Sequence, residues 1–357
     1  MLADAMIKHR DGIVGSWSVP TPTHPAEPHP RQRSLEDPAN LAEWEPWVRA
    51  AVIDFDLLSH LHFTKHAEQF TYQSHGQGVP ETRDNCVSVW HFHVTTAADD
   101  SPIATSSRIA TLIRPTEEIF ERQLMFLDQY SDLREDRSTE ILCQLGPQYA
   151  FWSSVVHLHP DRTKKTIELL DAALRLANFV EMRVKHALAC RRPNEYSPQV
   201  QPIVLTPGHG TFPSGHATEN HMIARILWEL RKGVYGESPI LGEQLMREAA
   251  RIAVNRTVAG VHFPVDTAAG QMLGLTLGRY FIQRAQGGSA FQAWRFDGER
   301  YPPDSDFDLR NFCIAATVQE LPAPHIDPPY IDPVASKPPE VSPMLNWLWA
   351  EAAKEWK

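Results

Sequence analysis

The stretch "DRTKKTIELLDAALRLANFVEMRVKHAL", residues 161–188, constrains the fold more than any other part of the chain. Its apolar residues recur at three and four, with Leu169, Leu170, Leu174, Val180 and Val184 forming much of one stripe. A helix with such a stripe needs other helices to cover it. They are easy to find. "TEEIFERQLMFLDQYSDLREDRSTEILCQL" and "PQYAFWSSVVHL" repeat the spacing before it, and further helices are predicted over 214–231, over "GEQLMREAARIAVNR" and from Pro264 past Tyr280. Pro264 suits the first turn of the last of these.

One or two helices are also expected in "EWEPWVRAAVIDFDLLSHLHFTKHAEQF", whereas "NCVSVWHFHVTT", residues 85–96, reads as a short strand. Proline-rich segments flank this region, so the chain divides into an extended N-terminal arm at 1–46, a helical catalytic domain at 47–285 and a C-terminal extension at 286–357 that packs on the bundle. The predicted fold class is all-α, a helical bundle with extended proline-rich ends. Those ends are expected to wrap the bundle or reach a neighbouring subunit, which leaves a homo-oligomer open.

Bulk properties narrow the function. A net charge of −10 in 357 residues argues against a nucleic-acid surface, so any cationic site has to be local and concave. The four cysteines, Cys86, Cys143, Cys190 and Cys313, fit no zinc pattern or disulfide framework. No apolar run reaches ~18 residues and the start carries no signal-peptide core. The expectation is a soluble, cytoplasmic protein with no membrane partner.

Three short pieces carry chemistry. In "KHALACRRP", Lys185 and Arg192 are seven apart, a spacing that would place them on one helical face. In "TFPSGHAT", Ser214, Gly215 and His216 offer a hydroxyl, free amides at a helix start and an imidazole, a setting that attracts anions. In "NRTVAGVHFPVD", the step from His262 to Asp266 lets the carboxylate hold one ring nitrogen and leave the other free, with Arg256 nearby in sequence. Each piece has a plainer reading alone: a solvated basic face, a capped helix, a structural His–Asp pair. Together they match a tetrahedral oxyanion, clamped by arginines and met by a histidine.

In order, the pieces read Lys-x6-Arg-Pro, Pro-Ser-Gly-His and Asn-Arg-x5-His-x3-Asp, with Asn255 where serine is commoner. This resembles the superfamily of type 2 phosphatidic acid phosphatases and vanadium-dependent haloperoxidases, over residues 185–266. On the haloperoxidase side the resemblance implies vanadate as cofactor, with phosphate as its competitor. His262 would be the vanadium ligand, Lys185, Arg192, Ser214, Gly215 and Arg256 the groups around its oxygens, and His216 the acid–base. Hydrogen peroxide, halide and a small organic molecule would be the reactants.

On the phosphatase side, His262 would be the nucleophile for a phosphomonoester and His216 the acid for its leaving group. A third reading is an oxyanion-binding protein without turnover. The lack of membrane spans and the lead-in before Arg192 favour the haloperoxidase reading. So does His209, which stands where algal bromoperoxidases carry a second pocket histidine and so points to bromide or iodide. Met182 stands where haloperoxidases often have tryptophan. His60, His62, His91 and His93 are expected to pack or face solvent rather than bind metal, and Cys190 to be a packed thiol.

Overall fold

A computed structural model describes residues 1–13, 37–65, 85–96, 102–320 and 329–357, and the chain falls into two units, Met1–Glu43 and Trp44–Lys357. The first unit holds helix α1 (Leu2–Ile13) and a 3-10 turn at Pro38–Glu43. Of the arm expected over 1–46, residues 14–36 lie outside the described residues.

The second unit begins with α2 (Pro46–Ser59) and the strands β1 (Leu61–Thr64), β2 (Cys86–Thr96) and β3 (Pro102–Ile113). Eight segments later the chain has built its helical body: α3 (Glu117–Ser131), α4 (Arg134–Cys143), α5 (Tyr149–Val155), α6 (Lys164–Leu188), α7 (Pro193–Tyr196), α8 (Gly215–Tyr235), α9 (Pro239–Val258) and α10 (Pro264–Gln286). The last part holds β4 (Gln292–Asp297), β5 (Cys313–Ile314), β6 (Gln319–Glu320), β7 (Ile331–Ala335) and α11 (Pro343–Lys354). No helix among the described residues is long and apolar enough to cross a membrane.

The all-α expectation is therefore corrected. A five-stranded mixed sheet, in the order β1-β2-β3-β4-β7, packs beside the helices, and β5 and β6 form a second, two-stranded sheet. The physical reason lies in β2 itself: a single strand leaves its backbone groups unpaired and must find neighbours. Its neighbours are β1 and β3, both antiparallel to it. β3 then pairs in parallel with β4, after the whole helical body has intervened. Buried Val87, Val89, Ile109, Ala110 and Leu112 join the same core as the helix residues, and the sheet lies against α6 and α10.

Inside the helical body, α8 and α10 cross with little between them. A Cβ on Gly274 would sit 2.3 Å from the Thr218 carbonyl oxygen, and one on Gly270 would sit 2.7 Å from that of Ser214. Only glycine permits backbones this close. The contact brings the N-terminal ends of α8 and α10 together, where Ser214 N–H donates to the Asp266 carbonyl at 2.9 Å.

Candidate active site

Lys185 and Arg192 do not share a helix face. α6 stops at Leu188, Ala189 takes a left-handed conformation with its N–H on the Lys185 carbonyl (2.9 Å), and Arg192 begins α7. The turn nevertheless delivers both cations to one place. They are among the most buried charged side chains described, 1% and 2% exposed. Lys185 Nζ donates to the carbonyls of Gly210 (3.2 Å), Thr211 (3.1 Å) and Pro213 (2.5 Å). An ammonium has three donors, so Lys185 pins the approach to α8 and acts on an anion as a point charge.

The Arg192 guanidinium fans out. Its Nε donates to the His209 carbonyl (3.0 Å), Nη1 to the Val261 carbonyl (2.7 Å) and to His262 Nε2 (3.1 Å), and Nη2 to His209 Nδ1 (3.1 Å). His262 lies just before α10, whose third residue is Asp266. Asp266 Oδ2 accepts from His262 Nδ1 (3.0 Å), the Phe263 N–H (2.9 Å) and Thr211 Oγ1 (2.5 Å). This fixes the His262 tautomer: Nδ1 carries the proton and Nε2 presents its lone pair. Burial and the charges of Arg192 and Lys185 hold the His262 pKa well below its usual value, so the ring is neutral at physiological pH.

His216 and Arg256 join the cluster through one residue, Gln144, just beyond α4. His216 Nε2 donates to the Gln144 carbonyl (2.9 Å), leaving Nδ1 as its base, and Arg256 Nη2 donates to Gln144 Oε1 (2.9 Å). Burial, then the Arg256 charge, pushes His216 down to about 3. It can act as an acid only when a bound anion offsets those cations. Asn255, in the position where serine is commoner, donates to Glu140 Oε1 (2.8 Å) and Gln144 Oε1 (3.0 Å) and accepts from Arg137 (3.1 Å). An amide can make all three bonds and so hold Gln144 in register; a serine hydroxyl is too short a reach for this.

Ser214 caps α8, its hydroxyl accepting from Ala217 N–H, with Gly215 and His216 opening the helix. The first amides of a helix have no partner within it. Gly215 has a second reason to be glycine: a Cβ there would lie 2.6 Å from Glu181 Oε1. Glu181 is an unexpected member of the site. It is buried one turn before Lys185, and its Oε2 has no hydrogen-bond partner among the described residues. Burial and the nearby Glu219 raise its pKa well above the usual carboxylate range, while burial also raises Glu219. The two carboxyls are poised to hold protons beside the cations.

Burial lowers Lys185 to about 8 and both Arg192 and Arg256 to about 10, so the arginines remain charged at neutral pH. Arg256 Nε is buried with no partner among the described residues. Of the residues expected from sequence, Lys185, Arg192, His209, His262 and Asp266 are joined by direct hydrogen bonds or through Thr211 and the adjacent loop. Ser214 and Gly215 line the α8 end beside them, and His216 and Arg256 close the group through Gln144. Thr211, Gln144 and Glu181 were missed. For Thr211 and Glu181 the only sequence signal was position, next to the Pro-Ser-Gly-His run and one turn before the lysine. Cys190 is a buried thiol whose pKa burial pushes up, in keeping with packing rather than reactivity.

The arrangement has the attributes of an oxyanion pocket with a nucleophilic or metal-binding nitrogen: three buried cations, a helix N-terminus and a neutral imidazole locked by a carboxylate. Residues 169–287, which contain all nine expected site residues, match the family model of the PAP2 superfamily. A search of curated proteins gives no match to the chain. The match covers about a third of the chain, and the superfamily it points to includes vanadium haloperoxidases and type 2 phosphatidic acid phosphatases.

Proposed function

We propose that the chain is a vanadium-dependent haloperoxidase acting on bromide or iodide. The observation that carries this reading within the superfamily is His209. Its imidazole is attached to Arg192, the same guanidinium that meets His262 Nε2, so a second histidine borders the oxyanion pocket. Burial and the Lys185 charge lower its pKa, which keeps it neutral and able to accept a proton.

The donor set fits vanadate. His262 Nε2 would be its ligand, with Lys185, Arg192, Ser214, Gly215 and Arg256 around its oxygens, and the unpartnered Arg256 Nε supplies a donor not spent on the protein. Bound vanadate supplies a Lewis acid that activates hydrogen peroxide towards halide. The chain's own residues do the rest. Asp266 and Thr211 hold His262 in the tautomer that leaves Nε2 bare. Arg192 must give up its hydrogen bond to Nε2 as the anion enters, and its freed donor turns to an anion oxygen. His216 Nδ1 takes or returns a proton once the anion's charge raises its pKa.

A second reading is phosphomonoester hydrolysis, favoured by the neutral His262 Nε2, which is equally suited to attack phosphorus while His216 protonates the leaving oxygen. One experiment separates them. The full chain, incubated with orthovanadate, is assayed for bromide- and iodide-dependent halogenation with hydrogen peroxide, alongside p-nitrophenyl phosphate hydrolysis without vanadate. Vanadate-dependent halogenation that phosphate suppresses is the expected result. Phosphate-ester turnover inhibited by vanadate, with no halogenation, refutes the haloperoxidase reading and leaves the phosphatase.

A further inference from the structure

Three of the four histidines expected to pack or face solvent, His60, His91 and His93, gather around one carboxylate. His60 ends α2, and the register of β1 on β2 places it beside His91 and His93, which alternate on one face of β2. The His60 ring stacks on His91 (5.3 Å between centroids, 6° between planes) and lies near-parallel to His93 (6.0 Å, 15°). Glu340, just before α11, meets all three. Its Oε1 is 2.7 Å from His93 Nδ1 and 3.4 Å from His60 Nε2, and its Oε2 is 2.8 Å from His91 Nε2. The site lies well away from the oxyanion pocket. Tyr280, which holds His91, is fourteen positions beyond Asp266 on α10, about 21 Å at ~1.5 Å per residue.

We propose that His60 Nε2, His93 Nδ1 and Glu340 Oε1 bind a divalent transition metal, zinc by ligand type. The three atoms lie within 4.8 Å of one another. The orientation of His60 is the strongest reason. Its Nδ1 is 2.6 Å from the Asp56 carbonyl, which can only accept, so Nδ1 is the donor there and Nε2 is the nitrogen turned to the Glu340 carboxylate. Nε2 and Oε1 stand 3.4 Å apart, longer than a usual charge-assisted hydrogen bond and wide enough for a cation to bridge them. That separation also matches the edge of a tetrahedron with metal–ligand bonds of about 2.0–2.2 Å. The shorter His93 contact, 2.7 Å, lengthens by about 0.6–0.9 Å on binding, within reach of a side chain that is 30% exposed.

The surroundings are those of a metal site. The Asp56 carbonyl orients His60, and His91, itself bonded to Tyr280 hydroxyl at 2.9 Å, holds the far oxygen of Glu340. Arg284 donates to Glu340 (3.2 Å) but is also paired with Asp56 (2.8 Å). Two carboxylates against one guanidinium leave a net negative site before the metal arrives. Three protein ligands leave the fourth position for water, on the solvent side of the half-exposed His60, His93 and Glu340.

The test uses the full chain stripped with a chelator and titrated with zinc chloride by calorimetry, with cobalt(II) absorption as a second reading. One equivalent of zinc is expected, together with the intense visible bands of tetrahedral cobalt, and both are expected to persist in His262→Ala. His93→Ala and His60→Ala, at partly exposed positions that do not threaten the fold, are each expected to weaken binding at least about 100-fold. His91→Gln, behind the ligands, should weaken it by about 10–100-fold. No zinc uptake by the folded wild type at micromolar concentration overturns the proposal. So does affinity unchanged in both His93→Ala and His60→Ala, or a cobalt spectrum of octahedral intensity.

Discussion

Replacing Asp266 with asparagine separates what this carboxylate does for chemistry from what it does to stability. Oδ2 accepts three hydrogen bonds, and Oδ1 has no partner among the described residues. An amide oxygen can take the place of Oδ2, so the variant keeps the His262 tautomer and loses only the charge. Hydrogen bonds to a charged partner exceed neutral ones by about 1–2 kcal/mol, and loss of such a partner lowers metal affinity or activity by about 10–100-fold. Turnover is expected to fall by that factor, in whichever reaction the chain catalyses.

Stability moves the other way with pH. Burial raises Asp266 from its ordinary 3.8 to about 6. The folded state therefore favours the neutral acid, and its contribution to stability is full below the unfolded pKa and falls as pH rises through 4 to 6. The shift corresponds to about 3 kcal/mol at ~1.4 kcal/mol per pH unit. Asparagine does not ionise and escapes this loss, at the constant cost of a buried amide donor with no partner, about 1–3 kcal/mol. Urea unfolding of both proteins at pH 4 and pH 8 reads the effect as a difference of differences, from which the constant cost cancels. About 0.6 kcal/mol of the loss has already occurred at pH 4, so the variant should gain about 2.4 kcal/mol relative to wild type between the two pH values. A gap that does not change with pH, or that moves against the variant at pH 8, would refute the burial argument.

Arg256→Lys removes the guanidinium whose Nη2 donates to both the Ile141 carbonyl and Gln144 Oε1 and whose Nε is left for an anion, and inorganic phosphate binding measured by calorimetry should weaken by about 10–100-fold, consistent with ~1.5–3 kcal/mol for a charged hydrogen bond; unchanged affinity would remove Arg256 from the pocket. Gly215→Ala drives a methyl group against Glu181 and should lose about 1–3 kcal/mol in urea unfolding. In a Glu181→Ala background most of that loss should vanish, and a loss of the same size there would show that Glu181 is not what Gly215 makes room for.

The sequence made the helical body and the oxyanion motifs legible for one reason: both are written as fixed spacings along the chain. α6 carries its burial at three and four, whereas α8 and α10 are buried on most sides, and Ser214, Gly215, His262 and Asp266 sit on or just before the first turns of those two. Of the sheet only β2 was legible, because its partner strands lack a clean alternation. β3 mixes Ser106, Ser107 and Thr105 with its apolar residues, β7 contains Pro333, and their pairing spans most of the chain. Lys185 and Arg192 show the limit of spacing as a guide. Seven residues suggested one helix face, yet the helix ends between them and a turn brings them together. Thr211, Gln144 and Glu181 enter the site through contacts across the fold, which no local pattern records.

The parallel pairing of β3 with β4 has a consequence for the growing chain. β3 is complete at Ile113, but its partner begins at Gln292, about 180 residues later. At ~5–20 residues per second of synthesis, that edge waits roughly 10–35 s for its neighbour. Ile109, Ala110, Leu112 and Ile113, all buried in the finished protein, remain open during this interval to any other unpaired strand. Chains cut short before residue 292 keep that edge permanently, and truncation there should yield aggregates even though every residue of the oxyanion pocket is present.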